Sequence, residues 1–230
     1  MKVAHRRLAG LSLAFLGALC LASAQDASEW RDVDWDAVKR GWARLSDAQR
    51  EHYLSLALAR SAEHDRALGG PAKTAGEDCD GAEFEITSLP FTSKNSTIDH
   101  LDANRLSQFG ACAGGGVQFS STGVGPDLAY KIKTDLACDL RATLTPTTED
   151  LSLYVVTDCL DSAQTCLRVS DGGARGEIET VDFSAIGGET YFVIVDGFSG
   201  QSDDFTLTLE ETGAAGCTLV PVELQQFSVE

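Results

Sequence analysis

The sequence predicts a mainly β protein, an antiparallel β-sandwich preceded by a small helical hairpin. Three stretches carry this reading. Thr190-Tyr191-Phe192-Val193-Ile194-Val195 is rich in β-branched and aromatic residues, enters from Gly187-Gly188 and leaves through Asp196-Gly197, as a strand between two turns does. Phe205 to Glu210 alternates strictly, with Phe205, Leu207 and Leu209 on one face and Thr206, Thr208 and Glu210 on the other. Between Leu128 and Val155 the same two-residue period recurs in three further runs, too closely connected for helical crossovers.

In chain order, Lys2, Arg6 and Arg7 precede an apolar run from Leu8 to Leu21 and then Ala22-Ser23-Ala24. This is the pattern of a cleaved signal peptide over residues 1–24, giving a mature start at Gln25. The apolar run is shorter than the roughly 20 residues of a membrane-spanning helix. No membrane span is expected after its removal, and the mature protein is expected to be secreted, periplasmic or held at the cell envelope. Cys20 goes with the leader.

Residues 25–70 read as the helical hairpin. Asp34 or Asp36 can cap a short helix on which Val38, Trp42 and Leu45 share a face. Ser46-Asp47-Ala48-Gln49 is a capping box that opens a second helix through Tyr53, Leu54, Leu58 and Ala62, ended by Gly69-Gly70-Pro71. Asp32, Asp34 and Asp36 are spaced like the start of a calcium loop. Ala37 and Ala43 stand where such a loop needs its glycine and its bidentate acid, so no EF-hand is predicted. The near-balanced charge of this stretch and the polar linker at 71–78 make the hairpin a separable unit, provided Trp35 and Trp42 do not pack on the sandwich.

The β-region occupies 79–217, followed by a C-terminal tail at 218–230. It opens with Phe84-Glu85-Ile86 and Leu89-Pro90-Phe91, and a loop rich in glycine and serine runs from Ser107 to Gly125. Leu128, Tyr130 and Ile132 then face inward, followed by Leu140, Ala142 and Leu144, and by Leu151, Leu153 and Val155.

The chain has 35 acidic against 18 basic residues, a formal net charge of −17, with the acids concentrated after residue 76. Such a surface repels nucleic acid and anionic lipid, so neither is an expected partner. Outside the leader lie six cysteines, Cys79, Cys112, Cys138, Cys159, Cys166 and Cys217. An even number in an exported chain points to disulfides. No C-x-x-C pair and no histidine at zinc-ligand spacing suggests a metal site instead.

Several strings resemble one family. Gly125-Pro126-Asp127-Leu128-Ala129-Tyr130-Lys131-Ile132 resembles the "PDVVYKF" strand of the bacterial pre-peptidase C-terminal (PPC) domain. Asp150-Leu151-Ser152-Leu153-Tyr154-Val155 is similar to its "D-x-x-L-Y-V" strand, and Gly188 to Gly197 to its "G-T-Y-Y-I-V-V-D-G" strand. Cys159 and Cys166 resemble the short cysteine loop of many members. The resemblance spans about residues 77–211 and implies a jelly-roll-like sandwich that serves exported proteins as a non-catalytic module. The double-acid turn that members often carry is reduced here to Ser170-Asp171-Gly172.

The short loop makes Cys159–Cys166 the first expected pair, with Cys112–Cys138 pinning the glycine-rich loop and Cys79–Cys217 closing the domain ends. Asp127, Asp150, Asp171, Asp196, Asp203 and Asp204 fall in turns or at strand ends, where calcium could draw them together. Aspartate also favours turns for local reasons, and the fold is expected not to need calcium.

No catalytic set emerges. His52 and His64 lie about 18 Å apart along one helix, and no nucleophile or metalloprotease motif occurs. The expectation is therefore no enzyme and no cofactor, but a module that binds an extracellular polymer or surface protein. Tyr154 and Phe198 are its candidate contacts. The alternatives are a structural envelope protein without a specific ligand and, more distantly, a cryptic hydrolase.

Overall fold

The computed structural model describes residues 29–69, 84–104, 106, 112–119, 121–159, 161–213 and 216–221. The signal peptide, the linker, Cys79 and residues 222–230 of the tail lie outside the described residues.

Among the described residues nine strands form two sheets. The first contains β1 (Glu85–Ile86), β3 (Asp127–Lys133), β5 (Leu151–Val156), β6 (Cys166–Ser170) and β8 (Thr190–Gly197). Its order is β1-β3-β8-β5-β6. The second contains β2 (Phe91–Ser96), β4 (Cys138–Pro146), β7 (Glu179–Ala185) and β9 (Asp204–Glu211), in the order β2-β9-β4-β7. Among the described residues the strand pairs are antiparallel except β1 with β3, which are parallel through Glu85–Lys131 and Ile86–Ile132. That exception departs from the all-antiparallel expectation. β1 is only two residues long, and Ile86 reaches the core from the sheet edge.

The two-residue period fills the space between the sheets. Leu128, Tyr130 and Ile132 from β3 meet Leu140, Ala142 and Leu144 from β4, and Phe205, Leu207 and Leu209 from β9 complete the layer. The four-stranded sheet keeps its other face in water, and Thr143 pairs there with both Thr208 and Thr180. The five-stranded sheet does not. β5 is buried at all six positions and β8 at seven of eight, so this sheet is covered on both faces. Its outer layer contains Ala129, Tyr154, Val156, Phe192 and Ile194, packed under Leu106, Cys112 and Ala163.

Part of that cover is the glycine-rich segment. Gly116 bridges to Val169 on the free edge of β6 at φ +134°, and a Cβ there would sit 1.9 Å from the Val169 carbonyl oxygen. Only glycine allows that approach. A disulfide joins Cys112 to Cys166 at the start of β6 with the Cα atoms 5.1 Å apart, and a second joins Cys138 to Cys217 at 5.7 Å.

These two bonds overturn the expected pairings Cys159–Cys166, Cys112–Cys138 and Cys79–Cys217. Cys159 is itself disulfide-bonded. Cys166 opens the strand at the sheet edge, where the glycine-rich segment lies, while Cys138 opens β4 beside the returning C-terminal segment. That segment is anchored by hydrogen bonds Asp135 N to Thr218 O and Val220 N to Lys133 O.

The hairpin forms α1 (Trp35–Gly41) and α2 (Asp47–Ala67). Asp34 caps α1 by accepting from Ala37 N, and Ser46 with Gln49 forms the capping box of α2. The buried face of α2 lies at Ala57 and Ser61, while Ala62 is exposed, so the face is turned by one residue from the expected one. Small residues occupy that face because the helix presses on the loop after β8. Trp35, Ala57, Val124 and Phe198 form one buried cluster, and Ser61 donates to Asp102 at 2.5 Å. The hairpin is thus joined to the sandwich through a packed interface that includes Trp35.

Candidate functional site

Beneath the junction of hairpin and sandwich lies a buried charge cluster. Lys39 on α1 donates to both carboxylate oxygens of Asp150, at 2.9 and 2.8 Å, and to Asp171 Oδ1 at 2.6 Å. The three side chains are 5%, 2% and 0% exposed. Thr122 donates its hydroxyl to the other oxygen of Asp171, and the Lys39 ammonium sits 4.5 Å from the ring centre of Phe198. Two carboxylates share one cation here. Burial raises Asp150 to about 7, helped by the charge of Asp171 and opposed by Lys39. Burial likewise raises Asp171 to about 6. Burial pulls Lys39 down, but the charges of Asp171 and Asp150 outweigh it and hold the ammonium above its ordinary value.

Above this cluster opens a cleft of about 310 Å³. The hairpin contributes Trp30, Arg31, Val33 to Asp36, and Arg60; loops of the sandwich contribute Glu149, Arg175 and Gln201. Each wall is placed for a local reason. Gly200, at φ +77°, lies under α2, where a Cβ would come 3.1 Å from Ala57 O and from the Arg60 stem. That glycine lets Arg60 lie flat along the loop. Gln201 follows it and accepts from Asp150 N at 3.2 Å through Oε1. The floor of the cleft is thereby tied to the charge cluster.

Three residues that line this cleft carry buried polar atoms without a match. Trp35 Nε1, Gln201 Nε2 and Asp36 Oδ1 are buried atoms without a hydrogen-bond partner among the described residues. A buried unmatched donor or acceptor costs about 1–3 kcal/mol, and three around one cavity are unusual for a surface that only packs. Arg31 pairs with Glu63, and Arg175 with Glu149 at 2.5 Å. Arg60 makes no ion pair among the described residues and lies 5.2 Å from the ring centre of Trp30. Burial lowers its affinity for the proton, with Glu149 opposing and Arg175 reinforcing. An arginine stays charged regardless.

Neither aromatic candidate from the sequence lies at a surface. Tyr154 and Phe198 are both fully buried. Tyr154 does point away from the inter-sheet core, but its hydroxyl lies within hydrogen-bonding distance, 2.9 Å, of both Asn104 O and Asp196 Oδ2 under the covering loop. Phe198 fills the space between α2 and the Lys39 cluster.

No family model and no curated protein sequence matches the chain. Among solved structures it is similar to the pre-peptidase C-terminal domain of a collagenase from Bacillus anthracis, at 13% identity and a TM-score of 0.38. That likeness covers 62% of this chain and 100% of the collagenase domain. It is the family that the strand motifs resemble. The β-sandwich class itself rests on the two sheets.

The six turn aspartates are held in different ways. Asp150 and Asp171 hold Lys39. Asp127 accepts from Ala103 N, Asn104 N and Asn104 Nδ2, and Asp203 accepts from the backbone N–H of Thr147, Thr148 and Glu149. Asp196 meets Tyr154, and Asp204 is exposed on β9. Burial holds both Asp127 and Asp196 well above the usual carboxylate range, reinforced by the charge of Asp102 at Asp127 and by the charges of Asp127 and Asp102 at Asp196. No group of three His, Cys, Asp or Glu side chains among the described residues is arranged to hold a metal ion. His64 faces the His100 carbonyl at 3.0 Å, and His52 lies against Tyr53.

Sequence reasoning missed Trp30, Trp35, Arg60 and Gln201. One signal was available. Trp30, Trp35 and Trp42 are the three tryptophans of the chain, and all lie in the short hairpin among charged residues.

Proposed function

We propose that this protein is an exported, non-catalytic module that binds extracellular material through the cleft between its hairpin and its sandwich. The observation that carries the reading is the cleft's set of unmatched polar atoms on Trp35, Gln201 and Asp36 beside an aromatic wall. Concave sites with an apolar wall and a few fixed polar groups are where proteins take small ligands or the exposed units of a polymer. The disulfides fit an oxidising compartment. No helix among the described residues is long and apolar enough to cross a membrane.

A purely structural role would leave the cleft without purpose. Among the described residues six large hydrophobics stand exposed, Leu68, Ile98, Val117, Leu136, Ile178 and Ile186, and none is aromatic. The aromatic side chains of the cleft wall, Trp30 and Trp35, are therefore the ones to which recognition is assigned. NMR titration of the nitrogen-labelled mature protein with soluble cell-wall glycan and exopolysaccharide fragments tests this. The three tryptophan indole N–H signals are the readout. Movement of the Trp30 and Trp35 signals with Trp42 unchanged is expected. Unchanged indoles with every fragment, together with no co-sedimentation with insoluble walls, would remove the binding reading.

A further inference from the structure

We propose that the cleft is a carboxylate-binding site, in which Arg60 is the anchoring cation and Trp35 Nε1 and Gln201 Nε2 are the flanking donors. The inference rests on the binding-module reading above and names the chemistry of its ligand.

The unmatched groups are mostly donors. Arg60 has five N–H groups in a planar fork and no ion pair among the described residues, while the neighbouring Arg31 and Arg175 are each taken by a glutamate. Trp35 is 7% exposed and Gln201 is 1% exposed, and the free polar atom of each is an N–H. A carboxylate is acceptor-only and matches the guanidinium fork with two parallel bonds. All three residues line the same cleft, so a single acceptor group is the simplest common partner for them. A neutral hydroxylated ligand would have to match the same donors with weaker acceptors.

The donors are also fixed in advance. Gln201 Oε1 holds the Asp150 backbone N–H, which orients the amide and leaves Nε2 as the free end. The Trp35 ring is wedged edge-on to Tyr53, with centroids 6.3 Å apart, within the packed cluster around Phe198. Arg60 is held flat between the Trp30 ring and Gly200. Binding then needs little side-chain ordering. Asp36 Oδ1, an unmatched acceptor at the same cleft, calls for a hydroxyl or N–H on the ligand next to its acid group. A bare inorganic anion lacks that donor.

A carboxylate with an adjacent donor occurs on an acidic sugar and at the end of a peptide-like chain. Paired probes separate these sources. Glucuronate is compared with glucose, and N-acetylglycine with N-acetylglycinamide, at matched ionic strength, following the indole signals of the mature protein. The expected result is a saturable shift of Trp35 with at least one acid and none with its neutral twin. Glucuronate alone marks a sugar-borne acid, N-acetylglycine alone a chain end. Arg60→Gln should weaken the effective acid about tenfold or more, and Arg60→Lys less, because lysine keeps the charge without the fork. If the neutral twins move Trp35 as strongly as the acids, or neither acid moves it, the carboxylate assignment is wrong. Binding of glycan fragments at the same indoles would in that case leave the module reading standing. The comparison of twins on the unaltered protein holds even if the Arg60 variants fail to fold.

Discussion

Lys39 Nζ lies 2.9 and 2.8 Å from the two carboxylate oxygens of Asp150, a residue 111 positions further along the chain. The hairpin and the sandwich are thus joined by a buried charge pair, with Asp171 as its third member. Removing one partner of a buried pair leaves the others uncompensated, which is far more costly than replacing the whole set by apolar groups.

Lys39→Met should therefore destabilise the protein by about 3 kcal/mol or more. Methionine fits the lysine stem, so lost packing is not the cause. Chemical denaturation should show a lower midpoint with an unchanged slope. Adding Asp150→Asn and Asp171→Asn should recover part of the loss. A Lys39→Met midpoint equal to that of the parent would mean that the cluster contributes nothing net.

The same cluster sets a pH dependence. Burial raises Asp150 to about 7 and Asp171 to about 6, above the carboxylates of an unfolded chain. The folded state then binds more protons than the unfolded state between about pH 4 and 7. Stability from this source is complete at the acid end and is lost as pH rises through 6 to 7. Lys39, held above its ordinary value, adds a contribution that disappears only in strong alkali. Glu179 lies close enough to raise both aspartates, and Thr122 opposes it at Asp171. Melting temperatures at pH 5, 6, 7 and 8 and constant ionic strength should fall in that order. Asp171→Asn should flatten the trend. A rise in melting temperature from pH 5 to pH 8 would contradict the assignment.

Phe198→Ala separates packing from recognition. The ring is fully buried against Ala57 and Val124, 5.9 Å from the Phe119 ring centre, and beneath the Lys39 ammonium. Truncation should cost about 3–5 kcal/mol. Deleting the hairpin uncovers the same ring and removes Lys39, so it should abolish cooperative unfolding. A well-folded hairpin deletion would show that the interface is dispensable.

Much of the sandwich was legible because its inter-sheet core is one-sided. Leu128, Tyr130 and Ile132 alternate with residues outside that core, and period alone assigns their face. β8 is recognisably apolar on both faces, which says that something covers the sheet but not what, whereas β5 showed only the inward face of Leu151, Leu153 and Val155 and is covered on its other face too. The cover comes from Leu106, Ala163 and the segment around Cys112. Small or irregular residues of this kind carry no periodic signal. The one-residue rotation of α2 has the same origin, since Ala57 and Ser61 are buried for their size rather than their hydrophobicity. The cleft was illegible for a topological reason. Trp35, Arg60 and Gln201 come from three segments that meet only once α2 docks on the loop after β8.

Cysteine pairing was the clearest misreading, and it leads to a direct test. A six-residue spacing made Cys159 and Cys166 attractive partners, but spacing along the chain ignores which edge each cysteine faces. Cys166 opens β6 beside the glycine-rich segment and pairs with Cys112; Cys138 opens β4 beside the returning C-terminal segment and pairs with Cys217. The closed loops are long, with sequence separations of 54 and 79 residues. In the chain-entropy model each restricts the unfolded state by about 4 kcal/mol, though strain and residual structure alter the realised value. Peptide mapping without reduction should return both linkages and no Cys159–Cys166 peptide. Cys138→Ser with Cys217→Ser should lower stability by up to about 4 kcal/mol. Because this bond holds a terminal segment, the double variant should keep its sandwich core and lose protection of the amides around Thr218 to Val220. Recovery of Cys112–Cys138, or of Cys159–Cys166, would overturn the arrangement of the covering segment on β6.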